Sequence, residues 1–97
     1  MPEKLHILFY DYVDDLLERR APHREGHLGL IKRWHDEGRI AMAGAVGDPP
    51  RAGMIVLREE DPDAAQAAAE AFVAEDPYHP AGLVTSWRVE PFLNVTA

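Results

Sequence analysis

Residues 76–82 read Asp-Pro-Tyr-His-Pro-Ala-Gly and lie between an alanine-rich segment and a run of alternating apolar and polar residues. An ordinary connection from a helix to a strand needs only about two to six residues. This connection holds a carboxylate, a phenol and an imidazole, and its two prolines restrict the backbone. The segment therefore marks the junction of the last helix with the last strand, and it is also a candidate functional loop.

The elements on both sides of this junction follow from local patterns. Asp61 is a favourable N-cap, Pro62 suits the first helical turn, and the segment up to about Ala74 is rich in alanine, the best helix former. After the junction, the alternation of residues 83–92 predicts the last strand.

The first half of the chain also divides into strands and helices. Residues 5–10 alternate as a strand, residues 16–20 predict a short helical turn, and residues 22–37 predict a longer helix with one apolar face. Residues 40–46, with their small side chains, then predict a buried strand, and the continuous apolar run at 53–58 predicts another.

The order strand, helix, strand, strand, helix, strand is that of the split βαβ, ferredoxin-like α+β fold. Both helices should pack on one face of an antiparallel sheet, which leaves the other face to be covered. The simplest cover is a second copy of the chain, so we expect a homodimer or a higher homo-oligomer. A length of 97 residues fits a single domain over residues 1–97.

Composition argues against several classes of function. The net charge of −7 argues against binding to nucleic acid or to an anionic membrane surface. The chain has no cysteine, which excludes disulfides and thiolate nucleophiles. No run approaches the roughly 20 apolar residues that cross a bilayer, and the first residues lack a signal-peptide pattern. We therefore expect a cytoplasmic protein that acts on a small molecule.

Two residues that are far apart in the sequence are candidates for acid/base chemistry. His27 lies on the apolar face of the longer predicted helix, and Asp76 begins the junction segment. If the fold brings them together, the carboxylate fixes the tautomer of the imidazole and the other ring nitrogen moves a proton. The alternative is a hydrogen bond that only ties the helix to the loop.

Arg24 and Tyr78 are candidate substrate contacts. Arg24 precedes His27 by about one helical turn and suits an anionic substrate, although it is equally able to remain solvated. The phenol of Tyr78 is able to orient a substrate, and its ring is also able to fill the end of the core. The histidines lack the His-Glu-x-x-His order of a zinc site, and no phosphate-binding or dinucleotide motif is present. We therefore expect neither a metal nor a cofactor.

Several short segments, taken in order, resemble the YCII-related (YciI-like) family over essentially the whole chain. The matching segments lie at residues 24–28, 34–39, 43–44, 76–78, 81–82 and 89–92. This resemblance implies a ferredoxin-like fold whose subunits pack sheet against sheet as a dimeric α+β barrel. It also implies an active site at His27 and Asp76.

The same resemblance implies proton transfer on a small molecule, because some members of the family are linked to dehydrochlorination of hydroxylated aromatics. Related barrels include muconolactone isomerases and metal-free monooxygenases. We therefore expect a cofactor-independent isomerase, lyase or hydrolase that uses His27 and Asp76. The alternative is a non-catalytic domain that binds a metabolite or serves as an oligomeric accessory subunit.

Overall fold

The computed structural model describes all residues from Met1 to Ala97. It contains four strands and three helices, which are β1 (Glu3–Tyr12), α1 (Leu16–Arg19), α2 (Ala21–Asp36), β2 (Ile40–Val46), β3 (Ala52–Leu57), α3 (Pro62–Glu75) and β4 (Val84–Asn94). The strands form one antiparallel sheet in the order β2-β3-β1-β4. The predicted α+β, ferredoxin-like architecture is confirmed, and the short predicted helical turn is α1.

The main core lies between the sheet and the helices. Leu8 and Tyr10 point from the central strand β1 toward Leu30 of α2 and Phe72 of α3, and all four side chains are buried. Trp34 of α2 packs edge-on against Phe72, with ring centroids 5.3 Å apart. Because successive side chains of a strand alternate between faces, this packing decides which residues of β1 face the helices.

The opposite face of the sheet carries a second, smaller apolar cluster. Leu5, Ile7 and Val56 form its buried part, and Phe9 and Met54 pack beside them. On the same face, the large apolar side chains of Met42 and Phe92 are exposed, since they pair with Val56 and Leu5 across the strands.

The expectation of a buried strand at Ile40–Val46 is wrong. The strand forms as predicted, but only Ile40 is buried. The reason is that β2 is an edge strand, and its small side chains at Ala43, Gly44 and Ala45 do not fill the space beneath α2. That unfilled space is part of the cavity described below.

The start of α3 follows the sequence pattern closely. The Asp61 side chain accepts a hydrogen bond from the Ala64 amide at 2.9 Å, as an N-cap should. None of the helices combines the length and the apolar character that a membrane span needs.

Candidate active site

The junction segment folds around the side chain of its first residue. Asp76 follows the last turn of α3, and its Oδ1 accepts a hydrogen bond from the Tyr78 amide at 3.0 Å. A turn in which an aspartate oxygen accepts from the backbone amide two residues later is a common local structure. This hydrogen bond within the loop holds the carboxylate independently of its contacts with other elements.

The structure brings His27 of α2 to this carboxylate. The Nδ1 atom of His27 lies 2.9 Å from Oδ2 and 3.0 Å from Oδ1 of Asp76. Both residues are buried, with 6% of His27 and 1% of Asp76 exposed. Two residues 49 positions apart in the sequence therefore form one hydrogen-bonded pair in the interior.

Gly26 allows this close approach of the helix to the loop. A Cβ atom at position 26 would lie only 3.0 Å from Cγ of Pro77, the residue that follows Asp76. The missing side chain therefore lets α2 lie directly against the junction segment. This is a local reason why His27 reaches Asp76.

Tyr10 is a third member of the site that the sequence did not assign. Its hydroxyl donates to Oδ2 of Asp76 at 2.9 Å, and the residue is completely buried. The sequence signal was its position on β1, where Tyr10 lies on the same face as Leu8. The pattern did not reveal that the buried end of the ring would meet a carboxylate from the far end of the chain.

The other ring nitrogen of His27 is open to solvent. A carboxylate accepts hydrogen bonds, so its contact with Nδ1 assigns a proton to that atom. Nε2 makes no hydrogen bond within the protein. Every side-chain nitrogen or oxygen that is fully shielded from solvent has a hydrogen-bond partner. Nε2 has no partner and therefore retains solvent-accessible surface. The pair therefore combines an anchored nitrogen with an accessible one.

His27 lines a cavity of about 230 Å³ that lies between α2 and the part of the sheet formed by β2 and β3. The wall beside His27 is the ring of Tyr78, which stacks on the imidazole at 3.8 Å with an angle of 5° between the planes. Tyr12 meets Tyr78 edge-on, with centroids 6.1 Å apart. Arg20 and Arg24 complete the polar part of the lining.

Three tyrosines surround the pair, and all three are held in the neutral form. Burial raises the pKa of Tyr10 far above the ordinary value of 10.0, and the charge of Asp76 adds to this effect. Burial likewise raises the pKa of Tyr12 and of Tyr78, against the opposing charges of Arg20 and Arg24. Their hydroxyl groups are therefore hydrogen-bond donors at neutral pH.

The sequence candidates occupy different parts of this site. Tyr78 is buried beside His27, and Arg24 is an exposed residue at the mouth of the cavity. Tyr12 and Arg20 were not assigned from the sequence, because nothing local distinguishes a strand-end tyrosine or a helix-capping arginine. His79 is exposed and is not among the residues that line the cavity. No three His, Asp or Glu side chains converge as a group able to hold a metal ion.

The fold and the comparisons agree on the class of protein. A small α+β domain with this element order and strand order has the ferredoxin-like fold. Residues 4–93 match the YCII-related domain, and the chain belongs to that family.

Two curated relatives cover nearly the whole chain. "Protein YciI" of Escherichia coli O6:H1 is 35% identical over 100 residues, which span 94% of this chain and 98% of the relative. An uncharacterized protein of Haemophilus influenzae is 32% identical over 99 residues, spanning 93% of this chain and 97% of that relative.

A solved structure shares the fold at lower sequence similarity. It is 5-chloro-2-hydroxyhydroquinone dehydrochlorinase (TftG) from Burkholderia phenoliruptrix AC1100 in complex with 2,5-dihydroxybenzoquinone. The TM-score is 0.67 with 20% sequence identity, and the match covers 89% of this chain and 90% of the other. At this identity the likeness supports the fold alone.

Proposed function

We propose that this protein is a small-molecule enzyme in which His27 transfers a proton and Asp76 orients it, without a cofactor. The observation that carries the proposal is the hydrogen bond from Nδ1 to a fully buried carboxylate, together with a solvent-accessible Nε2. A histidine held only for structure has no need of a second nitrogen that opens onto a cavity. The reaction would be of the isomerase, lyase or hydrolase type.

The chemistry follows from the two ends of the imidazole. Nε2 takes a proton from the bound substrate, and the resulting imidazolium is stabilised by Asp76 through Nδ1. Tyr10 and the Tyr78 amide hold the carboxylate in place while the charge changes. Proton transfer of this kind contributes about 10² to 10⁴ in rate.

Elimination of hydrogen chloride is the first reaction to test, because the structural neighbour bears the name of a dehydrochlorinase. In such a step the base removes a proton and chloride leaves with the bonding electrons. No oxidant or reductant is needed, so an imidazole and a carboxylate suffice. Tyr78 and Arg24 are proposed as substrate contacts at the wall and the mouth of the cavity.

The test measures proton transfer and chloride release separately. A panel of hydroxylated rings that includes 5-chloro-2-hydroxyhydroquinone is followed for chloride release and for exchange of ring hydrogens in D₂O. We expect His27→Gln to lower the rate by about 10² to 10⁴ while the fold is retained, as judged by circular dichroism. Exposed His35→Gln on the same helix is the matched control and should keep the wild-type rate.

Full activity in His27→Gln would overturn the assignment of His27. Saturable binding of the panel without exchange or chloride release would favour the alternative, a metabolite-binding domain.

We also propose that two copies of the chain pair through the face of the sheet opposite the helices, which we call the open face. The proposal is supported by the apolar cluster of Leu5, Ile7 and Val56 on that face, beside the exposed Met42 and Phe92. The exposed members of this group, Met42 and Phe92, are large apolar side chains of the kind that protein interfaces cover.

A further inference from the structure

The cationic side chains of this acidic protein are distributed unevenly. Of the ten lysines and arginines, seven lie within 4.0 Å of a carboxylate. The three without such a partner are Arg20, Arg24 and Arg51. With 17 acidic residues in the chain, carboxylates are not scarce. Two of the three unpaired arginines nevertheless line the same cavity as His27.

Arg20 and Arg24 occupy positions that are unfavourable for the helix itself. Arg20 is the N-cap of α2, and Arg24 lies four residues later, so two like charges share one helix face. Both charges lie at the helix end where the dipole favours anions, and the first turn has no acidic residue to offset them. Neither arginine has a carboxylate of the chain within 4.0 Å, which points to an anionic ligand as their partner.

The aromatic walls place a limit on the shape of that ligand. Tyr78 is stacked on His27, and Tyr12 stands edge-on to Tyr78, so three aromatic rings lie together in the lining of the cavity. A cavity of about 150 Å³ holds benzene, and drug-sized ligands occupy about 300 Å³ or more. The volume of about 230 Å³ therefore suits one substituted ring.

We propose that Arg20 and Arg24 form an anion-binding side of this cavity, and that the ligand is a single planar ring carrying an ionised oxygen group, a carboxylate or an enolate. The inference rests on the proposed function of the same site and adds its substrate class. A guanidinium beside a ring oxyanion also stabilises negative charge that develops when His27 removes a proton from the ring.

The test compares the same ring with and without its charge. Titrations of the whole protein with 4-hydroxybenzoate and with 4-hydroxybenzamide are followed by amide NMR shifts. We expect saturable binding of the anion with shifts at the start of α2, and binding of the amide weaker by about tenfold or more. The Arg20→Gln/Arg24→Gln variant should lose about tenfold in affinity for the anion. Arg51→Gln changes an unpaired arginine that does not line the cavity, and it should bind within about twofold of the wild type.

Three results would overturn the inference: no saturable binding of the anion, equal binding of the amide, or an equal loss in the Arg51→Gln variant. Because the titration involves no turnover, its outcome is independent of the His27→Gln assay. Anion binding in a protein without proton transfer would leave this inference standing and remove the proposed function. Turnover without anion preference would do the reverse.

Discussion

Asp76 is the residue on which the other groups of the site converge. Its carboxylate has no exposed side-chain surface and accepts from His27, Tyr10 and the Tyr78 amide. Burial of a charged group is costly unless hydrogen bonds replace the lost water. The three donors supply that replacement, and two of them belong to residues that line the cavity, His27 and Tyr78.

Replacing Tyr10 by phenylalanine removes one of these donors and leaves the ring in the core. We expect Tyr10→Phe to lower the free energy of unfolding by about 1 to 3 kcal/mol, because a buried charged acceptor loses its partner. Urea unfolding measures the change. The matched control is Tyr12→Phe, since the Tyr12 hydroxyl has no hydrogen-bond partner within the chain. Equal stability of the two variants would contradict the importance of the Tyr10 contact.

The three tyrosines of the chain also predict how stability depends on alkaline pH. Burial raises the pKa of Tyr10, Tyr12 and Tyr78 in the folded protein above the ordinary value near 10. The stabilisation that they provide is complete below that value and is lost as the pH rises beyond it. We expect the free energy of unfolding to fall above about pH 10, with tyrosinate absorbance appearing only as the protein unfolds. Tyrosinate in a protein with native circular dichroism near pH 10 would contradict this picture.

At the scale of the elements, the site depends on how closely α2 approaches the junction segment. Gly26 faces Pro77 across that contact, while Gly29 on the same helix has no neighbouring atom within 4 Å of an added Cβ. The two glycines are therefore a matched pair of test positions. Glycine disfavours the helix equally at both, but only Gly26 has a close neighbour.

Substitution of each glycine by alanine separates helix propensity from packing. We expect Gly29→Ala to stabilise the protein by about 0.5 to 1 kcal/mol, because alanine favours the helix. Gly26→Ala should be less stable than Gly29→Ala, since its Cβ meets the rigid ring of Pro77, and it should reduce turnover by shifting His27 from Asp76. Thermal unfolding and the turnover assay measure both effects. Equal stabilisation with unchanged turnover would show that the contact is not tight.

The sequence predicted the elements better than it predicted the contacts between them. Helix and strand periodicity and the Asp61 cap are local signals, and the structure follows them. The exposed character of β2 depends on its place at the sheet edge, which no local pattern encodes. The role of Tyr10 required knowledge of which loop closes over β1, and that is a property of the tertiary fold.

On the scale of the whole molecule, the two faces of the sheet differ in composition. The helix side holds the site, and the other side carries the apolar cluster with exposed Met42 beside it. The pairing of His27 with Asp76 was expected from the family resemblance, whereas spacing alone left it open. Arg24 was expected as a substrate contact, whereas the second arginine of the cavity, Arg20, was not, because the lining of a cavity arises from the shape of the assembled elements.

The proposed dimer predicts a difference between two exposed apolar positions. We expect sedimentation velocity to give about twice the chain mass of 10.9 kDa for the wild type, and a monomer for Met42→Glu on the open face. Leu17→Glu on α1, also exposed but on the helix side, should remain dimeric. A monomeric wild type would contradict the dimer, and a dimeric Met42→Glu variant would contradict its location.

The proposed chemistry requires that Asp76 anchors Nδ1 of His27 and leaves Nε2 free for proton transfer. Nitrogen NMR of the imidazole tests this most directly, at alkaline pH where the ring carries one proton. We expect a proton on Nδ1 and the chemical shift of an unprotonated nitrogen at Nε2. We also expect Asp76→Asn to disturb this preference. A neutral ring with its proton on Nε2 in the wild-type protein would contradict the proposed role of the pair.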